Sequence, residues 1–355
     1  RVLDGETRYI KGFKTTADFL LDTSFTYELG LISKLLGVVR RQFTLEGHNA
    51  ELWDETARRF EHVAPLELAQ FHDLKAAEIG TYQLFQETYH RAAYARVHLG
   101  GQKTDFDWRC SAMDRAMLAG IDDVGLGVLF GLHDWRFELL SLMQHAAHLE
   151  DRFGVGPHTI SVPRIEPAEG APLSEAPPAG VSDLDFKKII AILRLAVPYT
   201  GLILSTRESA AIRRECYALG VSQISAGSRT NPGGYSEGEN TAGQFQLGDH
   251  RSLDEVVHEL SAMGFIPSFC TACYRLGRTG QDFMDLAKPG LIKLKCDPNA
   301  VTTFQEYLID YASESARCDG EKAIDCELSG MSAKARKTSE RMLARIRDGR
   351  RDVYC

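Results

Sequence analysis

Strand-like and helical runs alternate along most of this chain, and that alternation constrains its fold more than any other feature. Short apolar runs rich in strand formers occur at 80–86 (GTYQLFQ), 124–130 (VGLGVLF), 159–162 (TISV), 201–205 (GLILS), 221–226 (VSQISA) and 265–269 (FIPSF). Helical patterns fill the intervals at 108–118, 135–153, 185–195, 208–219 and 253–263. Strands separated by helices of that length predict βα units on a parallel sheet. Six units in series favour a barrel over a doubly wound sheet, and no G-x-G-x-x-G opens a helix after a strand. Beyond residue 299 the pattern is helical through 312, less regular, and helical again through 347.

Polar residues gather beside the strand-like runs: Gln86-Glu87-Thr88, His133-Asp134, His158, Arg207-Glu208 and Ser228-Arg229-Thr230-Asn231. In a βα barrel the carboxyl ends of the strands carry the active site, so these groups read as one rim. Individually, several of them also suit helix caps or salt bridges between strands.

Three cysteines form a C-x2-C-x22-C array at Cys270, Cys273 and Cys296. Three thiolates suit an iron–sulfur cluster that leaves one iron open, because the two-residue gap turns both leading side chains toward one centre. Zinc is the alternative, with Cys318 as fourth ligand; structural zinc sites more often pair two short knuckles, and neither Cys318 nor Cys326 has a close cysteine neighbour. Cys110, Cys216 and Cys355 are scattered singly and read as buried free thiols.

A net charge of −8 argues against a general nucleic-acid binder. The basic run 334–351 reads as a solvated helix face, and no apolar run reaches the length of a membrane span. Eight cysteines without pairing-like spacing suit a reducing compartment, hence a cytoplasmic protein. Two flexible loops are expected, at 163–182 (rich in Pro, Ala, Gly and Glu) and 233–243. The chain begins at Arg1 rather than a methionine, so a segment upstream is expected.

Several segments resemble the HydG family of [FeFe]-hydrogenase maturation tyrosine lyases: GTYQLFQETYH (80–90), AGIDDVGLGVLFGLHDWRFE (119–138), VGPHTISVPR (155–164), ILRLAVPYTGLILSTRE (192–208), VSQISAGSRTNPGGY (221–235), FCTACYRLGRTGQDFMDLAKPG (269–290) and RIRDGRRDVY (345–354). The likeness runs from about residue 65 to the end; RYIKGF and SFTYELGLISKLL are weaker echoes of its early strand and helix. The related tyrosine lyase of thiazole synthesis shares the barrel without the cysteine array, so the array selects between the two.

The resemblance implies a radical S-adenosylmethionine enzyme on a (βα)8 TIM-type barrel over 1–268, with a mainly helical auxiliary-cluster region over 269–355. It implies cleavage of L-tyrosine to p-cresol and a glycine-derived fragment that becomes CO and cyanide, with other hydrogenase maturases as partners. It assigns Cys270, Cys273 and Cys296 to an auxiliary [4Fe–4S] cluster with a labile iron, and His158 to that iron, since imidazole suits iron. Glu87, Arg207, Ser228 and Arg229 match positions for S-adenosylmethionine or tyrosine, where a guanidinium clamps a carboxylate with paired hydrogen bonds. The family's second, initiating [4Fe–4S] cluster sits on a C-x3-C-x2-C loop, and no such motif occurs in these 355 residues. The alternative to the lyase is therefore a non-catalytic iron–sulfur carrier, or a fragment lacking the initiating cluster.

Overall fold

The computed structural model describes residues 67–168, 170–231 and 245–355. The echoes RYIKGF and SFTYELGLISKLL and the loop 233–243 lie outside the described residues. Helix α1 (Leu68–Ala76) precedes strand β1 (Tyr82–Glu87), followed by α2 (Arg91–Val97), α3 (Phe106–Cys110) and α4 (Ala112–Leu118). Then come β2 (Val124–Val128), α5 (Trp135–Phe153), β3 (Thr159–Ser161), α6 (Pro172–Glu175), α7 (Asp183–Ala196), β4 (Gly201–Leu204), α8 (Ala210–Tyr217) and β5 (Gln223–Ile224). Six helices complete the chain: α9 (Leu253–Ala262), α10 (Ala272–Arg275), α11 (Gly280–Ala287), α12 (Lys293–Asp310), α13 (Glu314–Gly330) and α14 (Ala333–Arg347).

The five strands are parallel and lie in the order β1-β2-β3-β4-β5. A doubly wound sheet reverses direction after its first strands; a sheet that adds each new strand on the same side is the progression of a βα barrel. Five of its strands are seen among the described residues. β2 and β3 are buried along their whole length, as strands covered on both faces must be. β2 reads VGLGV because a Cβ on Gly127 would overlap the Phe85 ring of β1, so the glycine makes room for a neighbouring side chain.

Helix α5 matches its expected bounds because both ends carry strong stop signals. The Asp134 carboxylate accepts from Arg136 N at 2.9 Å and Phe137 N at 3.3 Å, and Gly154 closes the helix with φ 74°. Leu139, Leu142, Ala146 and Leu149 recur at helical spacing and pack on the strands. Two expectations fail. The run 265–269 is not a strand: the Phe269 ring stacks on Tyr307 at 4.9 Å, and its amide donates to Thr303 Oγ1 at 3.2 Å, so its alternating apolar residues serve α12 rather than a sheet. The stretch after 312 is a regular helix, α13, whose buried face uses small residues; Gly320 lets it approach Phe304 and Leu308 of α12.

Candidate metal centre and active site

The carboxyl ends of the strands hold one group of the expected residues. Glu87 ends β1 after a bulge at Gln86 that shifts the register with β2, and it adopts φ 70°. A non-glycine residue in this region is held there by its surroundings. Its carboxylate lies 3.7 Å from Arg109 and 3.8 Å from Lys103, while Arg109 also donates to Phe85 O at 2.7 Å. Thr88 is structural: its hydroxyl bonds Glu138, which also accepts from Tyr89 N at 2.8 Å. Asp134 is a helix cap, and His133 stacks on His90 with ring centres 3.7 Å apart.

Three arginines at this end differ in what neutralises them. Arg164 donates to Glu208 and, at 2.8 Å, to Asp183. Arg213 is fully buried against Asp249 and Ser225 O. Arg207 instead stacks on Phe245 with its guanidinium 3.5 Å from the ring centre, and no carboxylate among the described residues lies within ion-pair distance. Burial lowers its pKa, while the charges of Glu166, Glu87 and Glu208 oppose that shift, so Arg207 and Glu87 share one electrostatic field. Ser228 is half-buried and Arg229 exposed, its guanidinium 3.1 Å from Ser228 O. A cavity of about 260 Å³ opens beside Arg164 and Glu166.

His158 does not belong to this rim. It enters β3: its amide donates to Val124 O at 2.9 Å and its carbonyl accepts from Gly201 N at 2.8 Å, so it lies at the amino ends of the strands. There its Nδ1 is 3.1 Å from Asp123, whose carboxylate is 1% exposed. Burial pushes the Asp123 carboxyl up, against the opposing pull of His158 and Thr81.

The cysteine-bearing segment packs on this same end. Phe283 lies 4.5 Å and Tyr274 6.3 Å, ring to ring, from His158. Two glycines permit the approach: a Cβ on Gly80 would meet Tyr274 at 3.0 Å, and one on Gly280 would overlap Asp122. Cys273, half-buried, is pushed up by burial, with Cys270 and Asp123 adding to the shift and Arg278 opposing it. Cys296 is pushed up to about 12 by loss of water around its sulfur, then by the fields of Cys273 and Cys270. Thiols that disfavour one another's charge are the donor set a metal centre resolves, since bound cations supply the missing positive charge. Among the described residues no three such side chains close on a single ion, and the shared field of three thiols suits a cluster whose ligands attach to different irons.

Cys355, expected to be an isolated buried thiol, is half-buried and stitched to the array. Its amide donates to Asn299 Oδ1 at 2.8 Å, and its carbonyl accepts from Arg278 at 2.8 Å and Asn299 Nδ2 at 3.2 Å. Nothing local in the sequence signals a contact between segments so far apart. Cys216 is buried as expected, and all eight cysteines are free thiols.

Comparisons with known proteins bear on the family and the fold. Residues 161–266 match the Biotin and Thiamin Synthesis associated domain. A crystal structure of HydG, a maturase of the [FeFe]-hydrogenase, superposes with a TM-score of 0.79 at 45% identity, covering 94% of this chain and 71% of that one. The chain belongs to the HydG family. HydG from Carboxydothermus hydrogenoformans gives a TM-score of 0.65 at 44% identity over 79% of this chain and 61% of that one. The 2-iminoacetate synthase of Escherichia coli (strain K12) is 37% identical over 221 residues, 62% of this chain and 58% of that protein. This HydG-family chain thus spans under two thirds of the length of the curated relative it matches. No described helix is long and apolar enough to cross a membrane.

Proposed function

We propose that the chain is the tyrosine-lyase body of an [FeFe]-hydrogenase maturase, with substrate chemistry at the carboxyl ends of its strands and a cysteine-held iron centre at the amino ends. The observation that carries this reading is the packing of the C-x2-C-x22-C segment on the His158 end of a HydG-family barrel. Cys270, Cys273 and Cys296 would hold an auxiliary [4Fe–4S] cluster and His158 a labile iron. Such a centre, when bound, supplies iron with exchangeable positions for diatomic ligands.

The chain's own residues have separable tasks. Arg207, half-buried and without an ion-pair partner among the described residues, would clamp the carboxylate of tyrosine or S-adenosylmethionine, and the Phe245 ring holds its guanidinium plane. Glu87, fixed by its backbone and by Arg109, would accept the ammonium end of such a ligand. Arg229 is exposed and suits a rim contact. Other hydrogenase maturases would receive the product.

The test compares two proteins under dithionite with tyrosine and S-adenosylmethionine. The 355-residue chain, without a C-x3-C-x2-C loop, should give no 5′-deoxyadenosine above a cluster-free control. The chain joined to a family segment carrying that loop should give p-cresol. A second reading, an iron–sulfur carrier, gains if the joined protein holds both clusters and binds tyrosine yet forms no p-cresol.

A further inference from the structure

We infer that Asp123 positions His158: its carboxylate faces Nδ1–H, holds that tautomer, and leaves Nε2 as the nitrogen offered to iron. This deepens the proposed role of His158 and rests on it. Asp123 is buried to 1% exposure on the residue just before β2, and His158 sits just before β3, so adjacent parallel strands bring the two together. The separation to Nδ1 is 3.1 Å, an ion-pair contact, and neither carboxylate oxygen has a hydrogen-bond partner among the described residues. Among the described residues no other cationic side chain is within ion-pair distance of it, and its neighbour Asp122 adds only like charge.

A buried carboxylate in that state is costly unless it is paired, so it holds whatever donor it faces. The His158 backbone is locked between β2 and β4 by its amide and carbonyl bonds, leaving only the ring torsions free. Anchoring Nδ1 sets those torsions. The rest of the ring faces Phe283 and Tyr274, from the stretch that carries the array, so the nitrogen left over is on the side where a metal would be held. A carboxylate behind a ligating histidine raises its basicity, and removing such a partner typically weakens metal binding by about 10–100-fold.

The test uses the anaerobically reconstituted chain, stripped of loosely held iron with a chelator and titrated with ferrous iron, with the electron paramagnetic resonance of the added iron recorded at each step. Asp123→Asn keeps an acceptor but removes the charge, and should weaken binding about tenfold. Asp123→Ala should weaken it further, with sulfide content equal to wild type in both and His158→Ala losing the site. Wild-type affinity and an unchanged signal in both Asp123 variants, with His158→Ala still losing the iron, would overturn the positioning role alone. Retention of the iron by His158→Ala would overturn the histidine reading and this one with it. Loss of sulfide in Asp123→Asn would make Asp123 a structural residue.

Discussion

At the carboxyl ends of the strands, Arg164 and Arg213 are matched by Glu208, Asp183 and Asp249, whereas at the amino ends Asp123 is buried with His158 as its one ion-pair neighbour among the described residues. At the first end Arg164 and Arg213 are charge-matched, while Arg207 has no carboxylate within ion-pair distance among the described residues, so a ligand there meets a largely preformed frame. The second end is left incomplete, with thiols pushed toward their neutral forms by burial and by each other. A site finished by its own side chains suits an organic ligand that comes and goes; one finished only by added positive charge suits a resident metal centre.

The largest blow to the first end is removal of a member of its buried pair. Arg213→Ala leaves Asp249, 1% exposed, with Arg251 alone as its ion-pair partner among the described residues and should cost about 3 kcal/mol of stability in thermal or urea unfolding. Survival of that variant with an unchanged midpoint would break the picture of a rigid frame. Next comes Arg207→Ala, which removes a charge-assisted clamp and should weaken tyrosine or S-adenosylmethionine binding about 10–100-fold in equilibrium dialysis, with sulfide content unchanged. Arg229→Ala, at an exposed position, should change the same affinity by less than about fivefold, since exposed charge pairs are worth under about 1 kcal/mol. An equal loss in both variants would assign the clamp to Arg229.

The first end should also carry a pH dependence, through Asp249. Burial pushes the Asp249 carboxyl up, but hydrogen bonds from Arg251 and the charge of Arg213 outweigh it and bring it to about 2, from an ordinary 3.8. A depressed carboxylate contributes stability above its unfolded value and loses it as pH falls, here between about pH 4 and pH 2. Asp249→Asn should flatten that part of the stability curve, and an unchanged acid limb would place the titration elsewhere.

The fold was legible where local signals agree. Strand and helix periods, the Asp134 cap and the left-handed Gly154 all point to the same βα units. The C-x2-C-x22-C spacing is visible in the sequence itself. Which end of a strand a residue occupies was harder, because His158 lies next to TISV and only the strand's true start puts it opposite the Glu87 rim. The run 265–269 misled because alternating apolar residues look alike whether they face a sheet or a helix, and α13 was missed because small residues make its buried face. Contacts made by distant segments, Cys355 on Asn299 and Asp123 under His158, have no local signature at all.

We propose that the amino ends of the strands and the helical segment behind them complete an iron centre independent of the substrate frame. Iron and acid-labile sulfide counted in the anaerobically reconstituted wild type, Cys273→Ala and His158→Ala decide this. About five irons and four sulfides per wild-type chain are expected. Cys273→Ala should lose the cluster, and His158→Ala the extra iron alone. Bound zinc with no sulfide, or wild-type iron and sulfide in Cys273→Ala, would contradict it.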